Sequence, residues 1–107
     1  MAKQLVYMTA GSLEEAQRIG AALVEKRLAA CVNIIDAMQS IYRWEGAIQN
    51  DREVVMIAKT TQDRLTGLIE TVNGLHSYDC PCIVSFDIVG GQPDFLDWIG
   101  REVDQTA

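Results

Sequence analysis

Donor atoms that suit soft metal ions are concentrated in one short segment, in which the chain's only histidine precedes two closely spaced cysteines. His76 is followed by Cys80-Pro81-Cys82. Thiolates favour Cu(I) and Zn²⁺, and a neutral imidazole binds the same ions. A structural zinc site normally has four protein ligands, so the two cysteines supply half of one. We therefore predict a weak copper or divalent-metal site formed by His76 with Cys82 and the thioether of Met8.

Each of these residues also has a structural interpretation. His76 follows a predicted helix, whose carbonyl end an imidazolium would stabilise by about 0.3–1 kcal/mol. Met8 lies in a predicted buried strand, where methionine commonly fills core space, and Cys82 begins a strand after Pro81 as a small apolar residue. Cys31 lies within an apolar run and is expected in the core. Both sets of interpretations stay open at this point.

Several aromatic side chains and one lysine form a second group of candidates, for a pocket that would take a small ligand. We expect such a pocket at a subunit interface, where a few polar atoms orient the ligand. The alternative for the two tryptophans is that they anchor an interface or the core. The candidate lining residues are Lys59, Tyr42, Trp44, Tyr78 and Trp98.

Motifs of known catalytic machinery are absent from the sequence. There is no GxSxG motif, no cysteine adjacent to the histidine, and no Gly-rich phosphate loop before Lys59. The acidic pair Glu14-Glu15 is expected on the solvated face of a helix. We therefore do not expect an enzyme, and copper is the one cofactor that we expect.

Charge and cysteine usage restrict the partners and the compartment. Fifteen acidic against nine basic side chains give a formal net charge of -6, so the surface has the wrong sign for binding nucleic acid. An odd number of cysteines, three, favours reduced thiols and hence the cytoplasm. No stretch approaches the roughly 18 apolar residues of a membrane span, so we expect a soluble protein with no membrane partner.

The hydrophobic pattern predicts the element order βαββαβ, followed by a last helix. Ser12 and Glu15 form a capping-box pattern at the first helix, and Thr60 or Thr61 is expected to cap the second, which Gly74 would stop. Residues 31–59 predict one long antiparallel hairpin with a bend or bulge within residues 36–39. The predicted strands cover residues 5–8, 31–35 with 40–44, 53–58 and 82–89, and the helices begin near residue 13, just after Thr60 or Thr61, and near residue 93.

This order is that of an α+β fold, the ferredoxin-like split βαβ plait, in a single domain spanning residues 1–107. In this plait the helices cover one face of the sheet. The long central hairpin carries apolar residues well beyond the reach of two helices, so we expect association of identical subunits to bury it. These residues are Ile41, Tyr42, Trp44 and Ile48.

Particular residues also carry a family resemblance. In order and spacing, five segments spread over almost the whole chain resemble the CutA, or divalent-cation tolerance, family. The resemblance implies a ferredoxin-like subunit, a tightly packed homotrimer whose sheets meet edge to edge through the long hairpins, and an association with tolerance to divalent cations, particularly copper. The segments are residues 28–34 (LAACVNI), residues 40–46 (SIYRWEG), Lys59-Thr60, His76-x-Tyr78-x-x-Pro81 and residues 95–98 (FLDW).

The resemblance also implies a set of copper ligands, which this chain matches in part. The family's proposed ligands are a cysteine at the end of the first strand and one or two histidines just before the Pro-Tyr of the loop after the second helix. Met8 stands at the cysteine position, and Leu75 precedes the remaining His76. In the loop, Ser77 replaces a proline and Cys82 replaces a glutamate.

Three functional hypotheses follow. The first is a homotrimeric divalent-cation tolerance protein that binds copper or another divalent metal in response to metal. The second is a small-molecule sensing or signalling trimer, by analogy with PII-type proteins, which are also ferredoxin-like trimers. The third is a trimeric scaffold without catalytic activity.

Overall fold

Four strands and three helices follow one another in the predicted order. The computed structural model describes residues 2–106. The elements are β1 (Lys3–Ala10), α1 (Leu13–Glu25), β2 (Cys31–Trp44), β3 (Ala47–Thr61), α2 (Leu65–Leu75), β4 (Ile83–Asp87) and α3 (Pro93–Glu102). The strands form one antiparallel sheet in the order β2-β3-β1-β4. This architecture confirms the α+β, ferredoxin-like fold.

One face of the sheet packs against α1 and α2. Alternate residues of β1 and β3 point to that face, because side chains of a strand alternate between its two sides. They meet apolar residues that recur at helical spacing on the two helices. The buried cluster comprises Val6, Met8, Ala10, Ala16, Ile19, Leu23, Ala29, Val54, Met56, Ala58, Leu68 and Val72. A smaller cluster of Ala30, Ile99 and Val103 holds α3.

The helix termini differ in part from the sequence-based expectations. Ser12 caps α1 as predicted, its hydroxyl accepting the N–H of Glu15. Thr60 and Thr61 do not cap α2: Thr60 donates to the carbonyl of Leu28, and a single 3-10 turn separates Thr61 from the helix. Gly74 lies inside α2, so the expectation that it stops the helix was wrong.

A β-bulge divides the long hairpin into two parts, within the segment where a bend was predicted. Ile35 pairs with Val55, but the next paired residue is Met38, opposite Glu53. Two residues of β2 therefore stand opposite one residue of β3, and Ala37 takes a positive φ of 68°. As a result, odd-numbered residues of β2 face away from the helices before the bulge, and even-numbered residues do so after it.

Apolar side chains remain exposed on the sheet face opposite α1 and α2 and along the hairpin. Ile41 and Ile48 are 71% and 68% exposed. Val84 and Phe86 pair with Tyr7 and Leu5, which places them on the face opposite the core. The alternation predicted for β4 is therefore correct, but its apolar side is the uncovered one. Within residues 2–106, no helix is both long enough and apolar enough to cross a membrane.

The two-residue turn of the hairpin depends on a glycine. Glu45 and Gly46 have φ of 50° and 80°, the left-handed values of a type I′ turn. We expect Gly46→Ala to lower the free energy of unfolding by about 1–2 kcal/mol, because a Cβ disfavours this conformation although no atom lies within 4 Å of it. Urea denaturation followed by circular dichroism measures the change.

Gly74 provides the matched control, because a Cβ there also meets open space while the backbone is helical. Gly74→Ala should raise the free energy of unfolding by about 0.5–1 kcal/mol. Equal effects of the two substitutions would contradict the assignment of backbone strain to Gly46.

Candidate functional site

A cleft of about 830 Å³ opens between the hairpin and the loop that joins α2 to β4. The hairpin forms one wall and residues 77–82 form the other. The residues that line it are Tyr7, Thr9, Met38, Gln39, Ser40, Ile41, Tyr42, Trp44, Asp51, Glu53, Ser77, Tyr78, Asp79, Cys80 and Cys82. The cleft therefore presents three carboxylates and two thiols, and no lysine, arginine or histidine is among these lining residues.

The bulge determines which side chains of the hairpin reach this cleft. Met38, Ser40 and Tyr42 share one face because they alternate after the bulge. Glu53 and Asp51 pair directly with Met38 and Ser40, so their carboxylates lie on the same face. The strand register therefore places acidic and sulfur-bearing side chains side by side.

A buried carboxylate holds the loop that forms the other wall. Glu15 is only 6% exposed. One of its oxygens accepts the backbone N–H of Gly11 at 3.3 Å, and the other accepts that of Ser77 at 2.7 Å. Burial by itself would raise the pKa of Glu15, but the hydrogen bonds from Ser77 and Gly11 hold that pKa below its usual value. The expectation that Glu15 lies on a solvated helix face was wrong.

His76 lies beneath the loop with both ring nitrogens engaged. Its side chain is 1% exposed, and its Nδ1 accepts the N–H of Tyr78 at 3.1 Å. The other nitrogen, Nε2, therefore carries the proton and donates to the carbonyl of Thr9 at 2.8 Å. Metal ligation by His76 stays a prediction, and it would require the loss of one of these hydrogen bonds.

The other predicted metal ligands point in different directions. Met8 is fully buried in the core cluster, on the opposite side of β1 from Tyr7 and Thr9, which line the cleft. Cys82 and Cys80 are exposed free thiols on the cleft wall, and Cys31 is a partly exposed free thiol outside it. Within residues 2–106 of the chain, no group of three or more His, Cys, Asp and Glu side chains could hold a metal ion.

Two tyrosines connect the aromatic and acidic residues of the cleft. The hydroxyl of Tyr78 donates to Glu53 at 2.9 Å, and that of Tyr42 donates to Asp51. Burial and the bond to Glu53 raise the pKa of Tyr78, and the bond to Asp51 raises that of Tyr42. Gly11 permits the close packing of Tyr78, because a Cβ there would lie 3.1 Å from the tyrosine oxygen.

The predicted aromatic pocket is thus assembled in part. Tyr42, Trp44 and Tyr78 line the cleft. Lys59 lies elsewhere, where it donates to the side chain of Asn33, and Trp98 packs against Phe95 on α3. For these two residues, ligand binding stays a prediction with no support from the cleft.

Burial and neighbouring charges affect the ionisation of the Cys82 thiol. Partial burial raises the pKa of Cys82, and the charges of Glu53 and Cys80 raise it further. The Cys82 thiolate is therefore harder to form than that of a fully solvated cysteine.

Sequence reasoning did not single out Asp51, Glu53 or Glu15 as site residues. For Asp51 and Glu53 a usable signal existed, since two acids at i and i+2 in a strand share a face. The capping-box pattern predicted the bond from the Glu15 N–H to Ser12, but it placed the Glu15 carboxylate on the N–H of the cap residue and not on that of Gly11. Its second partner, Ser77, is 62 residues away and leaves no local signal.

Comparison with known proteins agrees with this fold. The model of the CutA1 divalent ion tolerance protein family matches residues 4–102. The chain belongs to this family. Among CutA proteins, the divalent-cation tolerance protein of Archaeoglobus fulgidus is 46% identical over 99 residues, which cover 92% of this chain and 96% of that relative.

Two further CutA proteins show how far the similarity extends. The chloroplastic CutA of Arabidopsis thaliana is 40% identical over 95 residues, and the chain spans only 52% of that longer relative. The crystal structure of CutA1 from Oryza sativa superimposes with a TM-score of 0.95 at 34% identity, covering 98% of this chain and 96% of that one.

The Glu15 carboxylate provides a test of how the loop is held. Glutamine has a single side-chain oxygen, so in Glu15→Gln one of the two backbone N–H groups loses its acceptor. We expect the free energy of unfolding at pH 7 to fall by about 1–2 kcal/mol. Chemical denaturation of both proteins across a range of pH measures the difference.

The pH dependence has a defined sign. Because the folded-state pKa of Glu15 lies below the ordinary glutamate value of 4.5, the ionised carboxylate stabilises the fold above that pH. The difference between wild type and Glu15→Gln should therefore shrink as the pH falls below about 4.5. Glu14→Gln, at the exposed neighbouring position, is the control and should change stability little. A pH-independent difference would contradict the assigned role.

Proposed function

We propose that this CutA protein is a homotrimer that binds divalent cations, copper among them, in the acidic cleft in response to metal. The observation that carries the proposal is the composition of the cleft, which combines Asp51, Glu53 and Asp79 with two thiols and lacks basic side chains. A partly enclosed site lined by charges of one sign concentrates ions of the opposite sign. Carboxylates are also direct ligands of divalent cations.

The same composition argues against a sensor that binds an anionic small molecule. A nucleotide or organic anion would be repelled by the three carboxylates and would find no Lys, Arg or His among the residues that line this cleft. Binding of cations without catalysis is consistent with a family that is named for tolerance. We propose a non-enzymatic role on this basis.

Association of subunits supplies what one chain lacks. The donors of a single chain do not form a group of three or more within residues 2–106, so a neighbouring subunit or water must complete the coordination. The hairpin exposes Ile41, Ile48 and Trp44 next to the cleft. Each Å² of apolar surface removed from water contributes about 25 cal/mol, which favours an interface at this part of the hairpin.

A cytoplasmic location stays a proposal, supported by the three free thiols.

The proposed trimer depends on the exposed hairpin. Ile41→Glu should weaken or abolish association, because a charge would replace apolar contact surface. Light scattering coupled to size-exclusion chromatography measures the mass over a dilution series. Val89→Glu is the control, since Val89 is 98% exposed and lies outside the hairpin. A wild-type protein that is monomeric at micromolar concentration would contradict the proposal.

The carboxylates of the cleft are tested by their affinity for a divalent cation. Cu(II) titration is best performed in the Cys80→Ser, Cys82→Ser background, in which these thiols cannot reduce the ion. In this background, Glu53→Gln should weaken Cu(II) binding by about tenfold, or about 1.4 kcal/mol, because it removes one of the carboxylates that bind the cation. Calorimetry measures the affinity.

Glu25→Gln is the matched control for this substitution. It removes the same charge from an exposed position at the end of α1, outside the cleft. Equal weakening by both substitutions would show only a general charge effect and would reject the cleft as the site. Thermal stabilisation by an organic anion, without any effect of Cu(II), would favour the sensing trimer instead.

A further inference from the structure

The pair of cysteines in the loop gives the cleft a chemistry that carboxylates alone do not. Cys80 and Cys82 both line the cleft as free, exposed thiols. Carboxylates bind hard cations such as Mg²⁺ and Ca²⁺, whereas thiolates select soft ones. Two thiols on one wall therefore discriminate between classes of divalent cation.

The backbone between the cysteines favours a shared ligand. Pro81 fixes its own φ near -65° and restrains Cys80 to extended conformations. Because only one residue separates them, the Cα atoms of the two cysteines are at most about 7 Å apart. This separation is near the upper limit for a disulfide. Two bonds from sulfur to a metal such as zinc, about 2.3 Å each, span the gap between the thiols more readily.

A third sulfur lies in the same cleft. The thioether of Met38 accepts a hydrogen bond from the hydroxyl of Tyr7 at 3.4 Å, and both residues line the cleft. Sulfur is thus contributed by the hairpin wall as well as by the loop wall. The three sulfur atoms belong to residues 38, 80 and 82, none of which belongs to the ligand set that the family resemblance implies at positions 8 and 76.

We propose that Cys80 and Cys82 together chelate a thiophilic divalent cation of the zinc and cadmium class. This inference rests on the proposed function, because it names the class of cation that the cleft selects. On binding, two S–H bonds break, two metal–sulfur bonds form, and two protons pass to solvent without any change of oxidation state. The exchange of two protons for one M²⁺ leaves the net charge of the cleft unchanged, whereas Cu(I) would make the acidic cleft more negative by one charge.

The test is a titration of the full-length, reduced protein with Zn²⁺ under anaerobic conditions. Cys80→Ser and Cys82→Ser should each weaken Zn²⁺ binding by about 10²–10⁴-fold, because each leaves one donor of a chelating pair. Cys31→Ser is the matched control and should leave the affinity within about twofold, since Cys31 lies outside the cleft lining. Unchanged affinity in the two loop variants, or an equal loss in Cys31→Ser, would overturn the inference.

Cd²⁺ gives a second readout that loss of folding does not imitate. The wild type should develop an ultraviolet thiolate-to-cadmium absorption band with one ion per subunit, and the Cys80→Ser, Cys82→Ser double variant should not. Persistence of the band in the double variant would overturn the inference. If the double variant still binds Cu(II) through the carboxylates, the proposed function stands without the dithiol. If Glu53→Gln does not change the Cu(II) affinity of the double variant, the proposed function fails independently of the dithiol inference.

Discussion

The carboxylate of Glu15 is the contact on which the cleft depends. It accepts backbone N–H groups from Gly11, before α1, and from Ser77, after α2, so one side chain joins two segments that are remote in sequence. Hydrogen bonds to an ionised acceptor are roughly twice as strong as those between neutral groups. Because the loop that begins at Ser77 carries Tyr78, Cys80 and Cys82, the geometry of the cleft wall follows from this attachment.

His76 completes that attachment instead of standing beside it as a free donor. It receives the N–H of Tyr78, donates to Thr9 and lies 4.0 Å from Glu15. The sequence-based alternative, in which a histidine serves the carbonyls near a helix end, is closest to this geometry, although the carbonyl belongs to β1. In this CutA protein the groups that line the cleft are the neighbouring thiols and carboxylates. The buried His76 thus holds the loop in place, while the exposed thiols of Cys80 and Cys82 in the same loop line the cleft.

Local pattern was sufficient for the fold, and it failed where distant segments meet. Period-two alternation in residues 31–59 and the apolar spacing of α2 predicted the elements correctly, because each reflects burial against a single face. The pairing of Glu15 with Ser77 could not be predicted, since it depends on how two loops meet after folding. Lys59 and Trp98 were grouped with the aromatic pocket by chemical type alone. The strand register places Lys59 outside the cleft, and α3 packs Trp98 against the smaller core cluster.

The bulge in β2 has a consequence for how the lengths of related chains are compared. Asp36 and Ala37 together stand opposite one residue of β3, so the loss of either would restore regular pairing and keep Met38 and Tyr42 on the same side. The loss of a residue between positions 38 and 44 would instead reverse every side chain that follows, and would bring Arg43 to the side now held by Tyr42. The register therefore predicts that a one-residue change in length is accommodated at the bulge and not in the part of β2 that follows it.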